Sequence, residues 1–251
     1  MSPGGRAAER RVLRAVLAAI PLTAALQFAL SGPAVGREEL VRRGAELYAT
    51  SCASCHGPGG EGTADGPPLI GVGAAAVDFM LATGRMPLAD PDAQPVRQAP
   101  AFDRSGIEAL VAFVGTLGPG GAPIPSVDPG AGDLGLGRAV YASSCMACHG
   151  AGATGDALVG GAVAPALDRA TALQIAEAVR IGPGQMPPFG PDEIDQRQLD
   201  SLARYVTYLR GAPDPGGAAL GRVGPVAEGF VGWFVGLGAL LVVIRLTGTR
   251  R

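Results

Sequence analysis

The sequence predicts a mainly α-helical chain of two tandem domains of one kind, with an N-terminal apolar segment and a C-terminal transmembrane helix. Three observations predict this fold class. One stretch of sequence occurs twice, with Cys145 standing 93 residues after Cys52. Each copy contains a Cys-x-x-Cys-His motif, and apolar segments lie near both ends of the chain.

The composition excludes two broad classes of protein. The chain has 251 residues, of which 47% are hydrophobic and 17% charged, so it is too apolar for a disordered protein. All 20 basic residues are arginine and the net charge is −2, which disfavours nucleic-acid binding. We therefore expect no nucleic-acid partner.

Residues 1–36 predict either a signal peptide or an N-terminal membrane anchor. Four arginines come before residue 15, and no charge occurs from Ala15 to Gly36. A cleaved signal peptide has such a basic start and ends at small residues, as Ala34 to Gly36 would provide. The apolar run is longer than a typical signal core, so a retained anchor is an equal alternative.

A second apolar segment predicts a transmembrane helix over residues 226–249. No charge occurs from Gly229 to Ile244, Trp233 suits a membrane interface, and arginines follow. Because arginines lie on the terminal side of both apolar segments, the positive-inside rule puts both termini in the cytoplasm and residues 37–228 outside. A buried helix of a soluble domain is the alternative.

Two copies of one domain occupy the middle of the chain. Gly44 and Tyr48, which precede the first Cys-x-x-Cys-His motif, recur as Gly137 and Tyr141 before the second. Later matches are Pro67-Pro68-Leu69 with Pro165-Ala166-Leu167, and Gly84 to Pro87 with Gly184 to Pro187. The resulting segments are a first domain over 37–117, a Pro/Gly-rich linker over 118–132, a second domain over 133–211 and a further linker over 212–225.

Small residues in the predicted helices indicate how the helices of each domain pack together. Gly44 and Gly137 would allow the first and last helices of a domain to cross closely, and Tyr48 and Tyr141 would pack beside the crossing. The stretch from Ser105 to Glu108 predicts a capping box at the start of the first domain's last helix.

All four cysteines and both histidines of the chain lie in the two Cys-x-x-Cys-His motifs, which are typical of haem c attachment. Two thiols add to the two vinyl groups of one porphyrin, and the imidazole that follows binds the iron. We therefore predict two covalently bound haem c groups, attached through Cys52 and Cys55 and through Cys145 and Cys148, with His56 and His149 as iron ligands.

Other uses of these cysteines fit less well. A zinc site pooling both motifs would leave the repeat unexplained. A thioredoxin-like pair requires a preceding strand, whereas each motif here follows a helical stretch. A Cys-x-x-Cys disulfide closes too short a loop to stabilise much.

The sixth iron position must be held by methionine or stay open, since no histidine remains, and we predict methionine. Met86 and Met186 stand at equivalent places and each precedes proline, so the chain is extended where it would present a thioether sulfur. Met80 lies on an apolar stretch and is interpreted as core.

A ligating imidazole needs an acceptor for its other ring N–H, and a proline carbonyl in a rigid loop is suited to this. Pro67 and Pro165 are predicted to provide those carbonyls. Both prolines could instead be turn residues without a role at the site.

These motifs resemble known proteins. Each repeat resembles a class I cytochrome c domain, and the whole order resembles the dihaem cytochrome c subunit of the actinobacterial cytochrome bc1 complex. The specific features are two haem domains and then a Gly-Pro-x-x-Glu-Gly stretch, Gly224 to Gly229, entering the C-terminal apolar segment. Gly84-Arg85-Met86-Pro87 also resembles that family's first axial-ligand stretch. The absence of lysine is a departure.

The resemblance implies an electron relay. The Rieske iron–sulfur subunit would reduce the first haem, the first haem the second, and the second a cytochrome c oxidase. Cytochrome b would be a further partner, and the haem domains would lie outside the plasma membrane. The chain alone would carry electrons, and would be enzymatic only as a subunit of quinol–cytochrome c reductase.

Other functions remain as alternatives. The chain could be a dihaem subunit of another oxidase or a soluble dihaem carrier. A dihaem peroxidase would need an open iron, which two Met-Pro motifs and the lack of a spare histidine disfavour.

Overall fold

The computed structural model describes residues 36–211 and 229–248. By its backbone contacts the chain divides into Met1–Leu40 and Val41–Arg251, and every contact discussed below lies within the second unit. The predicted N-terminal segment, apart from Gly36, and the linker predicted over 212–225 lie outside the described residues.

All regular secondary structure in the first half of the described chain is helical. Its elements are α1 (Arg37–Ser51), α2 (Ala53–His56), α3 (Ala74–Ala82) and α4 (Arg104–Leu117). Apolar residues in α4 recur at helical spacing, and Ile107, Leu110 and Val114 are buried. Their core also holds Tyr48 of α1 and Leu81 of α3.

The second half repeats this order and adds a small hairpin. Its elements are α5 (Leu134–Ser144), α6 (Met146–His149), β1 (Asp156–Ala157), a 3-10 turn (Val159–Gly161), β2 (Val163–Ala164), α7 (Ala172–Ile181) and α8 (Gln196–Gly211). The two strands pair antiparallel, with Asp156 opposite Ala164. A second core combines α5, α7 and α8 through residues such as Tyr141, Ile175 and Leu202.

Glycine lets two helices cross closely in each half. A Cβ on Gly44 of α1 would overlap the carbonyl oxygen of Ala109 in α4, and one on Gly137 of α5 would overlap that of Ser201 in α8. Tyr48 packs on Phe113 beside the first crossing, with ring centroids 5.1 Å apart. The predicted close crossings are confirmed.

The start of α4 differs from the prediction. Asp103 is its N-cap and accepts a hydrogen bond from Gly106 N at 2.7 Å. Ser105 donates to Asp103 at 2.9 Å, and Glu108 pairs with Arg104 at 3.0 Å. The capping box predicted from Ser105 to Glu108 is therefore wrong, because a carboxylate two residues earlier takes the free backbone N–H.

The transmembrane helix predicted over residues 226–249 is also wrong. Its first three residues and its last lie outside the described chain; between them, Val231–Leu237 is π-helical and α9, Gly238–Thr247, has ten residues. Ten α-helical residues rise about 15 Å, against about 30 Å for a hydrocarbon core, and Arg245 lies in the last turn. Across residues 36–211 and 229–248, no helix combines the length and apolarity needed to cross a membrane.

We expect Gly44→Ala to lower the free energy of unfolding by about 1–3 kcal/mol, because the added methyl group must displace the backbone of α4. Gly115→Ala is the matched control, since no described atom beyond the backbone of its own helix lies within 4 Å of a Cβ there. It should raise the stability by up to about 1 kcal/mol, as alanine favours helix. Denaturant unfolding of the full chain measures both, and equal effects would contradict the crossing.

Candidate functional site

Each Cys-x-x-Cys-His motif forms a single helical turn. In the first, the Cys52 carbonyl accepts hydrogen bonds from Cys55 N at 3.2 Å and His56 N at 2.9 Å. The Cys145 carbonyl accepts the same pair from Cys148 and His149, at 3.2 and 2.9 Å. The turn projects two thiols and one imidazole from five consecutive residues.

Glycine after each histidine lets the chain leave this turn. Gly57 has φ of 80° and Gly150 has φ of 73°, a region that residues with a side chain rarely adopt. The backbone then returns to the histidine, whose carbonyl accepts from Gly62 N at 2.7 Å in the first copy and from Gly155 N at 3.0 Å in the second. The loop that follows is thereby folded back over the imidazole.

That loop brings a proline carbonyl to each imidazole. His56 Nδ1 lies 2.8 Å from Pro67 O, and His149 Nδ1 lies 3.0 Å from Pro165 O. A carbonyl can only accept, so Nδ1 carries the proton and donates it. The other ring nitrogen, Nε2, then keeps the lone pair that a metal ligand needs.

A tyrosine connects each motif to the helix crossing. Tyr48 Oη donates to Gly57 O at 2.7 Å, and Tyr141 Oη donates to Gly150 O at 2.6 Å. Both tyrosines are buried, and burial is the main cause that raises the pKa of each. The hydroxyls stay neutral donors, so the motif is held by bonds that do not titrate near neutral pH.

The first cysteine of each motif faces the domain interior. Burial, and to a smaller extent the neighbouring cysteine, raises the pKa of Cys52 to about 11 and that of Cys145 to about 11. Cys52 packs against the core of the first half and Cys145 against that of the second. These two thiols therefore lie against apolar groups.

The predicted methionine ligands lie against the same two cores. Met86 packs on the core that Cys52 also contacts, and Met186 on the core that Cys145 contacts. Met80 is half-buried, and its carbonyl accepts hydrogen bonds from Arg85 N and Met86 N at 2.9 and 3.2 Å. It therefore helps to shape the loop that carries Met86.

The polar groups near the first methionine fit a haem. The Arg85 guanidinium lies 4.9 Å above the Phe79 ring, and its buried Nη1 has no hydrogen-bond partner among the described residues. Burial, followed by the nearby Arg97, lowers the pKa of Arg85. A haem propionate would provide the missing acceptor, since a carboxylate is a good partner for arginine. The thiols, the imidazoles and this unpaired donor together match the group.

The structure adds a feature that sequence reasoning missed, where the two halves meet. Helices α3 and α7 contact each other and bring together Asp78 and Glu177, which are 1% and 0% exposed. Arg104 donates to Asp78 at 2.7 Å. Burial first, then the neighbouring Asp78 carboxyl, raise the pKa of Glu177 to about 8, while Arg104 opposes the shift.

A segment between Met86 and α4 also reaches the second half. Gln94 donates to Val163 O at 2.9 Å and accepts from Val163 N at 3.1 Å. Arg97 donates to Gln174 Oε1 at 2.7 Å, while Gln174 completes the capping box of Thr171 at the start of α7. The loop that carries the first predicted methionine is thus tied to the helix before the second.

Comparison with known families defines the class of this protein. Residues 41–118 match the family model of cytochrome c, and residues 132–206 match that of cytochrome c oxidase, cbb3-type, subunit III. Together with the repeated helical fold and the two motifs, these matches define a protein with two tandem cytochrome c domains.

Longer alignments identify the particular family. The chain is 37% identical over 219 residues to the cytochrome bc1 complex cytochrome c subunit of Mycobacterium tuberculosis, covering 84% of this chain and 78% of the relative. The subunit of Corynebacterium diphtheriae is 31% identical over 232 residues, covering 85% and 82%. The chain therefore belongs to the family of cytochrome bc1 complex cytochrome c subunits, which confirms the resemblance drawn from the motifs, and it transfers electrons as a cytochrome c.

A more distant similarity concerns another complex. The chain is 29% identical over 189 residues to the cbb3-type cytochrome c oxidase subunit CcoP of an Azospirillum species. That alignment covers 67% of this chain and 62% of the relative.

We expect the stability of the protein to fall as the pH rises from about 4.5 to 8. The folded chain keeps a proton on Glu177 in this range, whereas the unfolded chain, with the ordinary pKa of 4.5, has lost it. The free energy of unfolding then falls by up to about 1.4 kcal/mol per pH unit.

Glu177→Gln removes the titrating group and should flatten this dependence, leaving the variant more stable than the wild type at pH 8. Denaturant unfolding from pH 5 to 9 measures the effect. Asp192→Asn removes an exposed carboxylate of the same half and should behave as the wild type. A Glu177→Gln curve parallel to that of the wild type would disprove the assignment.

Proposed function

We propose that the chain binds two covalent haem c groups, one in each cytochrome c domain. Cys52 and Cys55 attach the first and Cys145 and Cys148 the second, and the domains span 37–117 and 133–211. The repeated hydrogen bond between histidine Nδ1 and a proline carbonyl carries this proposal, because it leaves Nε2 of each imidazole to bind iron.

The iron ligands are His56 with Met86 and His149 with Met186. Imidazole and thioether ligation would raise the potential of each haem and leave no position on its iron free to bind oxygen, which suits electron transfer. Pro67 and Pro165 fix the imidazoles through their carbonyls, and Arg85 neutralises a propionate of the first haem. The burial of the core that Met86 contacts supports this arrangement by excluding water.

The route of the electron runs from the Rieske iron–sulfur subunit to the first haem, then to the second, and on to a cytochrome c oxidase. The chain thus serves quinol–cytochrome c reductase as its electron-delivering subunit, beside the cytochrome b subunit. The similarity to bc1 complex subunits supports the first part of this route. The polar contacts between the two domains support the direct step from one to the other.

As a subunit of this complex, the chain lies at the plasma membrane, and we propose that its haem domains are outside the cytoplasm. The four arginines before residue 15 support this orientation, because a basic start followed by an apolar run is typical of exported proteins.

A second candidate function is that of a dihaem subunit in a cbb3-type oxidase. The family match of residues 132–206 and the similarity to the Azospirillum subunit favour it. Purification of the chain from its native membrane separates the two functions, since cytochrome b and Rieske subunits would accompany it in one case and an oxidase catalytic subunit in the other.

We expect two haems per chain in the matured protein by pyridine haemochrome assay. The double variants Cys52→Ser/Cys55→Ser and Cys145→Ser/Cys148→Ser should each retain one haem, since each motif attaches its own group. One haem or none in the wild type would refute the proposal.

The same variants test the route in the native complex. Loss of the second haem should leave quinol-driven reduction of the first intact and stop electron delivery to the oxidase. Loss of the first should stop both. Full oxidase reduction without the first haem would contradict the order, and stopped-flow spectroscopy of the haem bands distinguishes these results.

We expect Met86→Leu and Met186→Leu each to remove one haem's share of the methionine-to-iron charge-transfer band and to lower that haem's potential. Met80→Leu is the matched control in the first domain and should leave the band unchanged. If Met80→Leu removes the band and Met86→Leu does not, the first ligand is misassigned. Near-infrared absorption and redox titration are the measurements.

A further inference from the structure

Two buried acids, one from each half of the chain, meet at the domain interface. Asp78 lies on α3 and Glu177 on α7, and each of these helices leads into the loop that carries its domain's methionine. Helix α3 ends four residues before Met86, and α7 ends five residues before Met186. Each acid of the pair therefore lies on the helix that precedes the methionine loop of its own domain.

The charges of this cluster do not balance without a proton. The Asp78 and Glu177 side chains provide two carboxyl groups, and Arg104 provides one positive charge, itself shared with Glu108 at 3.0 Å. Arg104 donates to Asp78 at 2.7 Å, and its side chain is 54% exposed, so it offsets the charge of Glu177 only in part. Ionised Glu177 would therefore be a buried carboxylate without an ion-pair partner among the described residues.

The hydrogen bonding leads to the same conclusion. Neither oxygen of Glu177 has a hydrogen-bond partner in the described part of the chain. Two ionised carboxylates can only accept, so they cannot bond to each other. A proton on Glu177 provides the donor and lets the pair form a hydrogen bond, as in carboxyl dyads that share one proton.

We propose that Asp78 and Glu177 form a proton-binding site shared by the two domains, and that proton uptake there is coupled to reduction of the haems. The ligand of the site is a single proton from solvent. This inference rests on the proposed function, because it requires a haem in at least one of the domains that the pair joins.

The coupled step is balanced. Where Glu177 is ionised in the oxidised protein, near pH 8 and above, one electron from the donor protein would reduce one iron from the ferric to the ferrous state. One proton from water would then add to the Glu177 carboxylate, so the net charge of the domain pair would be unchanged. The added electron raises the proton affinity of the acid, and by linkage the bound proton raises the haem potential by the same free energy. The charged groups acting on Glu177 in the described chain are Asp78 of α3 and Arg104 of α4.

Redox titration of the haem-loaded native complex at pH 6 to 9.5 tests the coupling. In the wild type, the midpoint potential of at least one haem should fall as the pH rises through the region near pH 8, where Glu177 titrates. Glu177→Gln is neutral at every pH. Its potential should therefore stay at the wild type's low-pH value, and the fall should be lost.

Two further variants distinguish titration of Glu177 from titration of other acids. Asp78→Asn removes the charge that opposes ionisation of Glu177, so the fall should move to lower pH. Asp192→Asn, an exposed acid in the same domain as Glu177, should keep the wild-type curve. The haem propionates also titrate, and they would produce a pH dependence that survives in both interface variants.

Redox-induced infrared difference spectra give a second readout. At about pH 8, reduction should produce the C=O band of a protonated carboxyl group, and Glu177→Gln should remove it. Wild-type potentials that do not change with pH, or a dependence unaltered in Glu177→Gln and Asp78→Asn, would overturn the inference. Haem content and the methionine band of the same samples test the proposed function separately.

Discussion

The hydrogen bond from a buried tyrosine hydroxyl to the glycine after each histidine is the interaction on which the rest of the structure depends. Tyr48 donates to Gly57 O, and Tyr141 donates to Gly150 O. The tyrosine belongs to the helix that crosses the last helix of its domain, whereas the glycine ends the motif. Packing of the core therefore sets the position of the motif, and through it the direction of the imidazole.

Much of this arrangement is predictable from sequence because it is local or repeated. The Cys-x-x-Cys-His turn spans five residues, and the glycine after it is required by a positive φ. The roles of the Pro67 and Pro165 carbonyls were predictable because a ligating imidazole needs an acceptor for its other ring N–H. The structure contains both hydrogen bonds. Gly44 and Gly137 predicted the close helix crossings because a glycine occurs at the same place in both copies of the domain.

The features that were missed depend on side chains far apart in the chain. Asp78 and Glu177 look like ordinary surface acids until α3 and α7 are brought together, and Gln94 finds its partner 69 residues away. Competition between nearby groups also misled the prediction, since Asp103 rather than Ser105 caps α4. At the C-terminal end, counting uncharged residues did not reveal that the helix is interrupted by a π-helical stretch.

The two domains share a backbone and differ in the charges they carry near their methionines. Arg85 precedes Met86, whereas the uncharged Gln185 precedes Met186, so the first domain carries a charge at a position where the second carries none. Arg104 likewise reaches the interface only from the first domain. An electrostatic interaction is strong where water is excluded, so these few charged side chains give the two sites different electrostatic surroundings in the same fold. The repeated backbone therefore determines the geometry of both sites, and the charged groups that face the partner domain make one site differ from the other.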